Sequence, residues 1–263
     1  MADPIASEPP ASSLRITWLG HSTLAIELDG VSVLTDPMLR ARVAHLERVA
    51  ELPQLDAFAA PDVVLLSHVH RDHLDRGSLR LLSRAAELVV PRGAAQLVAP
   101  LGFERVCEVA AGEEVGVRGL RIRVTHAEHP PGRNLLATGP QPVGFLLHDS
   151  CVVYFAGDTD VFAGMTELRP DVALLPVSGW GPRVPAGHLD ADRAVEALEL
   201  LAPRVAVPIH WGTYRPVYRR TPYESDAAAP ERFAALARTR TPSVEVRVLQ
   251  PGETWTAPPE FGA

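Results

Sequence analysis

A short apolar run leads directly into a cluster of metal-type side chains. The run occupies residues 63–67, and the sequence HVHRDH follows it without a gap. A fully apolar run of this length is typical of a buried strand. Because residues two apart in a strand point the same way, His68 and His70 should leave the strand end side by side. A turn after them should bring Asp72 and His73 round to the same point.

Three imidazoles and one carboxylate within six residues form a donor set suited to zinc, with manganese or iron as alternatives. A single histidine is more often a surface residue, but this cluster directly after a buried strand indicates a metal site. Four donors rarely complete two metal sites, so further donors should come from later in the chain. The candidates that follow apolar, strand-like runs are His129, with His126 as its rival, Asp158 and His210.

The rest of the chain alternates short apolar runs with turn residues. Strands are predicted at residues 14–18, 24–28, 31–34, 63–67, 88–90, 106–109, 115–117, 120–125, 143–147, 152–155, 172–175, 205–209 and 244–248. Helices are predicted at residues 78–84, around His45, at 227–238, and from an N-cap at Asp190 through Leu201. This order predicts an α/β protein with two mixed sheets between helices. We expect a disordered tail at 1–13 and a single domain over 14–263.

Composition limits the classes of function. The 263 residues are 46% hydrophobic and 22% charged, which suffices for a sizeable core. The formal net charge of -7 argues against a dedicated nucleic-acid or anionic-membrane binder. Apolar runs stay well short of the roughly 18 residues that a bilayer span requires. We therefore place the chain in the cytoplasm by default and interpret Cys107 and Cys151 as small buried hydrophobic residues.

Five short motifs together resemble one family. They are WLGHST at 18–23, LTDP at 34–37, HVHRDH at 68–73, GDT at 157–159 and PIHWGT at 208–213. With the isolated His129, they resemble the metallo-β-lactamase superfamily, and more closely the branch that includes L-ascorbate-6-phosphate lactonase and N-acyl-phosphatidylethanolamine-hydrolysing phospholipase D. The resemblance implies a four-layer αββα sandwich of two mixed β-sheets flanked by helices. The motifs are specific for the fold and the metals but only weakly specific for the substrate.

The resemblance also implies roles for individual residues. One metal ion would be held by His68, His70 and His129. The other would be held by Asp72, His73 and His210. Asp158 would bridge the two ions. The Pro-Pro-Gly-Arg turn that follows His129 favours it over His126, although the two prolines stand where relatives often carry an aromatic residue.

Other residues have two interpretations each. Relatives carry a histidine facing the active site at the position of His188, which predicts substrate contact or proton donation, the alternative being a loop histidine that packs the helix start. His21 should lie near the floor of the site, in a structural or a catalytic role. Asp36 either orients a metal-bound histidine or is a plain turn residue. Residues that could line a pocket are Arg133, Trp180, Arg183, Tyr214 and Arg215. His45 is interpreted as a surface residue, and His148 is assigned no role.

The sequence thus predicts a dinuclear metal-dependent hydrolase with catalytic residues Asp72, Asp158 and His188. Two bound ions lower the pKa of water from 15.7 to roughly 7, so a metal-bridging hydroxide is available at neutral pH. The substrate should be a small ester, lactone or phosphodiester, with an anionic group permitted. The alternatives are a catalytically silent metal-binding regulatory module and a nuclease, which size and charge disfavour. Self-association is left open.

Overall fold

The computed structural model describes residues 14–131, 139–179, 183–221 and 223–262. Its strands are β1 Leu14–Gly20, β2 Thr23–Leu28, β3 Val31–Thr35, β4 Arg42–Val43, β5 Leu46–Arg48, β6 Val63–Leu65, β7 Glu87–Pro91, β8 Arg105–Val109, β9 Glu114–Val117, β10 Leu120–His126, β11 Val143–His148, β12 Val152–Phe155, β13 Val172–Pro176, β14 Val205–Ile209, β15 Tyr214–Pro216, β16 Glu245–Val246 and β17 Thr254–Thr256. Its α-helices are α1 Arg76–Leu79, α2 Ala95–Val98, α3 Ala191–Leu201, α4 Glu224–Ala227 and α5 Ala229–Arg240. The predicted tail lies outside the described residues.

Two seven-stranded sheets form the centre of the molecule. The first has the order β17-β1-β2-β3-β6-β7-β8, and the second has the order β16-β14-β13-β12-β11-β10-β9. Both are mixed, because β3, β6, β7 and β8 run parallel in the first sheet, as do β12, β13, β14 and β16 in the second, while the other neighbours pair antiparallel. The predicted fold class is confirmed.

Strand β6 illustrates how the layers form. Val63 and Leu65 point into the cluster of apolar side chains that both sheets share, whereas Val64 and Leu66 point into a second cluster on the other face. Parallel strands that are buried on both faces need this continuous apolar run. Helices α1 and α2 supply apolar side chains to the second cluster, and α3 and α5 pack against β13 and β14 of the other sheet.

Helix α3 begins and ends where the sequence predicts. The carboxylate of Asp190 accepts a hydrogen bond from the backbone N–H of Arg193 at 2.9 Å, which caps the first turn. The helix ends at Leu201, after which Ala202 adopts a left-handed conformation with φ 48°. This cap fixes the chain just after His188 and so positions the loop that carries that side chain.

Two predicted helices differ from the structure, and one small sheet was not predicted. The helix predicted at 78–84 begins at Arg76 and ends at Leu79, because the guanidinium of Arg84 donates hydrogen bonds to the carbonyls of Leu79 and Arg80 at 2.9 and 3.0 Å. His45 is exposed, as expected, but it lies in the turn of a hairpin rather than in a helix. That hairpin, β4–β5, pairs with β15 in a small third sheet that was not predicted.

Strand β17 also escaped prediction; it pairs antiparallel with β1 at the edge of the first sheet. Both cysteines are free thiols, with Cys151 buried as expected and Cys107 only half-buried. In the described part of the chain, no helix has the length and apolar character needed to cross a membrane.

Candidate metal centre

The candidate donors follow strands that end at one edge of the two sheets. His68 comes shortly after β6, His129 after β10, Asp158 after β12 and His210 after β14. Strands β10, β12 and β14 run in the same direction, so their carboxyl ends lie at the same edge. Loops at this edge can therefore converge on one point.

Gly157 allows the loop that carries Asp158 to lie close to Ser67, just after the end of β6. Its φ of +61° is left-handed, and a Cβ at this position would lie 2.5 Å from Cβ of Ser67. A larger residue would push the loop away from the end of β6. The glycine of the GDT sequence is thus required by the contact between two loops that are distant in the chain.

The first group of donors consists of three imidazoles. Nε2 of His68 lies 2.9 Å from Nδ1 of His70, and Nε2 of His129 lies 3.0 Å from the same Nδ1. Two nitrogens bound to one zinc ion at about 2.0–2.1 Å are separated by roughly 2.9–3.4 Å in ordinary coordination angles. The three ring nitrogens therefore have the spacing of donors around a single ion.

Hydrogen bonds on the far side of these rings fix their orientation. Oγ of Ser67 donates to Asp36 at 2.5 Å and lies 2.9 Å from Nδ1 of His68, so the hydroxyl is left to accept from that ring. Nδ1 of His129 donates to the carbonyl oxygen of Gly187 at 2.6 Å. With Nδ1 protonated in both rings, the Nε2 lone pairs face the first group, which is the form of imidazole that binds metals.

The second group contains Asp72, His73 and His210, together with His21. Their donor atoms all lie within 4.8 Å of one another. Oδ2 of Asp72 lies 3.4 Å from Nε2 of His21, 3.8 Å from Nε2 of His73 and 3.9 Å from Nε2 of His210. The sequence predicts His21 near the floor of the site but does not predict it as a metal donor. Its motif, WLGHST, does not indicate such a role.

Asp158 lies between the two groups. Its Oδ2 is 3.2 Å from Nε2 of His73 and 3.9 Å from Nε2 of His68, and its Oδ1 is 3.4 Å from Nε2 of His210. The side chain is almost fully buried. One carboxylate thus reaches donors of both groups, as a shared ligand must.

The protonation of the centre reflects burial and mutual charge. Burial lowers the pKa of His129 to about 4, and burial together with the neighbouring His210 lowers the pKa of His21 to about 3. Burial alone would raise the pKa of Asp158, but His210 and His73 outweigh it and hold that pKa well below its ordinary value. Burial disfavours a charge on His73 and His210 as well, but the carboxylate of Asp158 outweighs it and raises the pKa of both rings. The ionised Asp158 thus draws positive charge to its side, and a divalent cation could supply that charge instead.

Three residues at the centre have a strained, left-handed backbone. His21, Asp36 and His210 have φ values of 54°, 30° and 63°. Non-glycine residues rarely adopt this left-handed region, and each such residue costs on the order of 1–3 kcal/mol. The surrounding fold holds all three, which is typical of functional centres.

The structure separates the two rival histidines. His126 is the last residue of β10, is exposed, and lies 3.2 Å from Glu128. His129 is buried in the first group, because the loop that carries it is tied to the Asp158 loop. Asp160 donates its backbone N–H to the carbonyl of Glu128 at 2.9 Å, and the N–H of Glu128 reaches Oγ1 of Thr159 at 2.9 Å.

The remaining candidates have distinct positions. His188 is half-buried, with Nε2 3.5 Å from Oδ2 of Asp158. The hydroxyl of Tyr214 donates to the carbonyl of Met38 at 3.0 Å, and Arg215 pairs with Glu47 at 2.6 Å, so both side chains have structural contacts. Arg183 lines a cavity together with Val184 and Asp190, which flank His188 in the sequence. Arg133 and Trp180 lie outside the described residues, and His148 sits at the end of β11 away from both groups.

The fold and the donors define the class: an αββα sandwich with a histidine- and aspartate-rich centre at one edge of its sheets. Residues 32–211 match the model of the beta-lactamase superfamily domain. The UPF0173 metal-dependent hydrolases of Methanopyrus kandleri and Opitutus terrae are 35% and 36% identical, each over 92% of this chain and 99% of their own length. The chain belongs to the metallo-β-lactamase superfamily and, within it, to the family of these UPF0173 proteins.

Solved structures agree with this assignment. Igni18, described as a metallo hydrolase from the archaeon Ignicoccus hospitalis, matches with a TM-score of 0.74 and 28% identity, over 94% of this chain and 99% of its own. An isothiocyanate hydrolase from gut bacteria of Delia radicum has a TM-score of 0.71 at 20% identity, over 92% and 100% of the two chains, and shares the fold. The finer resemblance to the lactonase and phospholipase D branch stays a prediction.

Proposed function

We propose that the protein is a hydrolase that uses two divalent metal ions to cleave a small ester, lactone or phosphodiester. The observation that carries the proposal is the position of Asp158, whose carboxylate lies 3.2 Å from a ring nitrogen of His73 and 3.9 Å from one of His68. A carboxylate shared between two groups of imidazoles suits a pair of ions. The family's name, metal-dependent hydrolases, supports the same class of reaction.

Each ion has its own donors. The first would be held by His68, His70 and His129. The second would be held by Asp72, His73 and His210. Asp158 would contact both, and zinc suits this donor set, with manganese or iron as alternatives. When bound, two such ions supply an activated water at neutral pH and polarise the bond under attack.

The chain's own carboxylates and His188 complete the chemistry. Asp72 and Asp158 balance the positive charge of the ions, and Asp158 can accept a hydrogen bond from the attacking water. Nε2 of His188 lies 3.5 Å from Asp158, and its ring centre lies 4.5 Å from that of His129. Because His188 lies beside the donor groups, it could donate a proton to the leaving group or a hydrogen bond to the developing oxyanion.

We place the substrate in a cavity that is lined by residues close to His188 in the sequence, though not by His188 or the metal donors themselves. Its volume is about 960 Å³, and its lining includes Val177, Val184 and Asp190 from the segments on either side of the His188 loop. Such a volume suits a small molecule. The cavity is also lined by the guanidinium-bearing Arg183, Arg219 and Arg232. These cations favour a substrate with a carboxylate or phosphate group, although Arg232 already pairs with Asp192.

Turnover measurements test the proposal directly. Metal-free protein is reconstituted with zinc or manganese and assayed with bis-p-nitrophenyl phosphate and with a panel of lactones. We expect hydrolysis of at least one class, lost on chelation and in the Asp158→Asn variant. Metal binding without turnover of any ester, lactone or phosphodiester would instead identify a silent regulatory module. Turnover of RNA or DNA alone would identify a nuclease, which the net charge of -7 disfavours. Cytoplasmic location and self-association stay predictions.

A further inference from the structure

His21 is held in place by its backbone as firmly as the donors around it. Its carbonyl oxygen accepts hydrogen bonds from Nε1 of Trp18 and from the backbone N–H of His210, both at 2.9 Å. Its own N–H donates to Oγ1 of Thr213 at 2.7 Å. The turn between β1 and β2 is thereby fastened to the loop that carries His210. The position of the His21 ring relative to His210 is therefore fixed.

The ring of His21 enters the second group of donors. Its centre lies 4.0 Å from the ring centre of His210 and 5.1 Å from that of His73. The side chain is buried, and Nε2 lies 3.4 Å from Oδ2 of Asp72. At this separation the two side chains interact closely enough for each to shift the pKa of the other. The distance also matches the roughly 2.9–3.4 Å between two donor atoms on one ion.

We propose that His21 is a ligand of the second metal ion, through Nε2, beside Asp72, His73 and His210. The inference rests on the proposed function, since it adds a donor to one of the two ions. It also makes the two sites unequal. The first ion has three imidazoles and the shared Asp158, whereas the second has three imidazoles, its own carboxylate and Asp158. The second ion is therefore held more tightly, and chelators remove the first ion first.

The competing interpretation is that the ring of His21 only orients Asp72 by donating a hydrogen bond to it. Metal affinity alone does not distinguish the two roles, because loss of an orienting residue also weakens binding by about 10–100-fold. A direct measurement of the metal–nitrogen bond does. Protein labelled with ¹⁵N-histidine and loaded with ¹¹³Cd reports such bonds as scalar couplings between the cadmium and the ring nitrogens.

We expect couplings to Nε2 of His21, His73 and His210 on one cadmium resonance. In His21→Asn the His21 coupling disappears, and affinity for the ion bound by His73 falls at least about tenfold. Asparagine tolerates the left-handed backbone at this position, which preserves the turn. The matched control is His45→Asn, at an exposed turn residue, and it should leave couplings and affinity unchanged.

The wild-type spectrum shows whether His21 binds the ion even if the His21→Asn variant fails to fold. Couplings to His73 and His210 without one to His21 overturn the inference and leave the proposed function intact. Absence of coupling to every histidine overturns both. Unchanged affinity for both ions in a folded His21→Asn variant also overturns the inference.

Discussion

The carboxylate of Asp36 accepts a hydrogen bond from Nδ1 of His73 at 2.7 Å, and both side chains are fully buried. The same carboxylate accepts from the backbone N–H of Ser67 at 2.7 Å and from its hydroxyl at 2.5 Å. Through Ser67 it also orients His68. A single residue outside the donor groups thus fixes one imidazole in each of them. These contacts favour the interpretation of Asp36 as an orienting residue over that of a plain turn residue.

Replacing Asp36 with asparagine should therefore weaken both metal sites. An amide presents one acceptor and one donor where Asp36 accepts on both oxygens, so one of its partners loses its hydrogen bond. We expect metal affinity to fall about 10–100-fold, measured by competition with a chromophoric chelator. Asp62→Asn is the control, because Asp62 accepts from Ser32 away from the centre; it should change stability only. Equal metal affinity in wild type and Asp36→Asn would contradict this role.

Metal content provides the second prediction. The protein as isolated should contain up to two equivalents of transition metal per chain. Since ions bind the folded state, their removal by a chelator should lower the thermal midpoint, and their return should restore it. Elemental analysis combined with thermal unfolding checks both statements. Less than about a tenth of an equivalent, unchanged after reconstitution, would exclude a metal centre.

The shared position of Asp158 predicts a large effect of its replacement. Asp158→Asn removes one negative charge between the donor groups, and activity should fall at least about a hundredfold. Asp160→Asn serves as the internal control. Asp160 pairs with Arg193 on the partly exposed side of the same loop, and ion pairs of this kind contribute little. Comparable losses in the two variants, measured as kcat/KM, would mean that the bridging position is misassigned.

The two rival histidines can be separated by metal stoichiometry. His129→Ala removes a ring nitrogen that lies 3.0 Å from Nδ1 of His70, and it should release about one equivalent of metal. His126→Ala removes an exposed side chain that contacts Glu128, and both ions should remain. Elemental analysis after dialysis measures the difference. Loss of metal from His126→Ala but not from His129→Ala would reverse the assignment.

His188 should affect the reaction without holding a metal. His188→Ala should retain both ions and the fold, while activity falls roughly 10²–10⁴-fold, as for a positioned acid or base. The loss should be smaller with a nitrophenolate leaving group, which needs little protonation. His210→Ala should instead empty one site. Rates for a good and a poor leaving group, together with metal content, test this. Wild-type rates in His188→Ala would show that His188 is a loop histidine without a role in the reaction.

Most strands of the two large sheets, and the metal-type residues that follow them, can be predicted from the sequence alone. Apolar runs predict β6, β12 and β14, and the metal-type residues directly after them need no tertiary information to be found. Local capping likewise fixed the start of α3 at Asp190. These features depend on residues that are close in the chain, so a periodic pattern or a single cap predicts them. The small sheet of β4, β5 and β15 was not predicted, because its strands are short and each contains an arginine, so no apolar run marks them.

Which loops meet depends on how the whole chain folds. His126 and His129 both follow an apolar run, and what distinguishes them is the pairing of Glu128 with Asp160, 32 residues further along the chain. His21 reaches Asp72 and His210 only because the turn after β1 bonds to the loop after β14. Asp36 serves two histidines because β3 lies beside β6. Each of these contacts joins residues that are far apart in sequence, and it exists only once the sheets have brought their edges together.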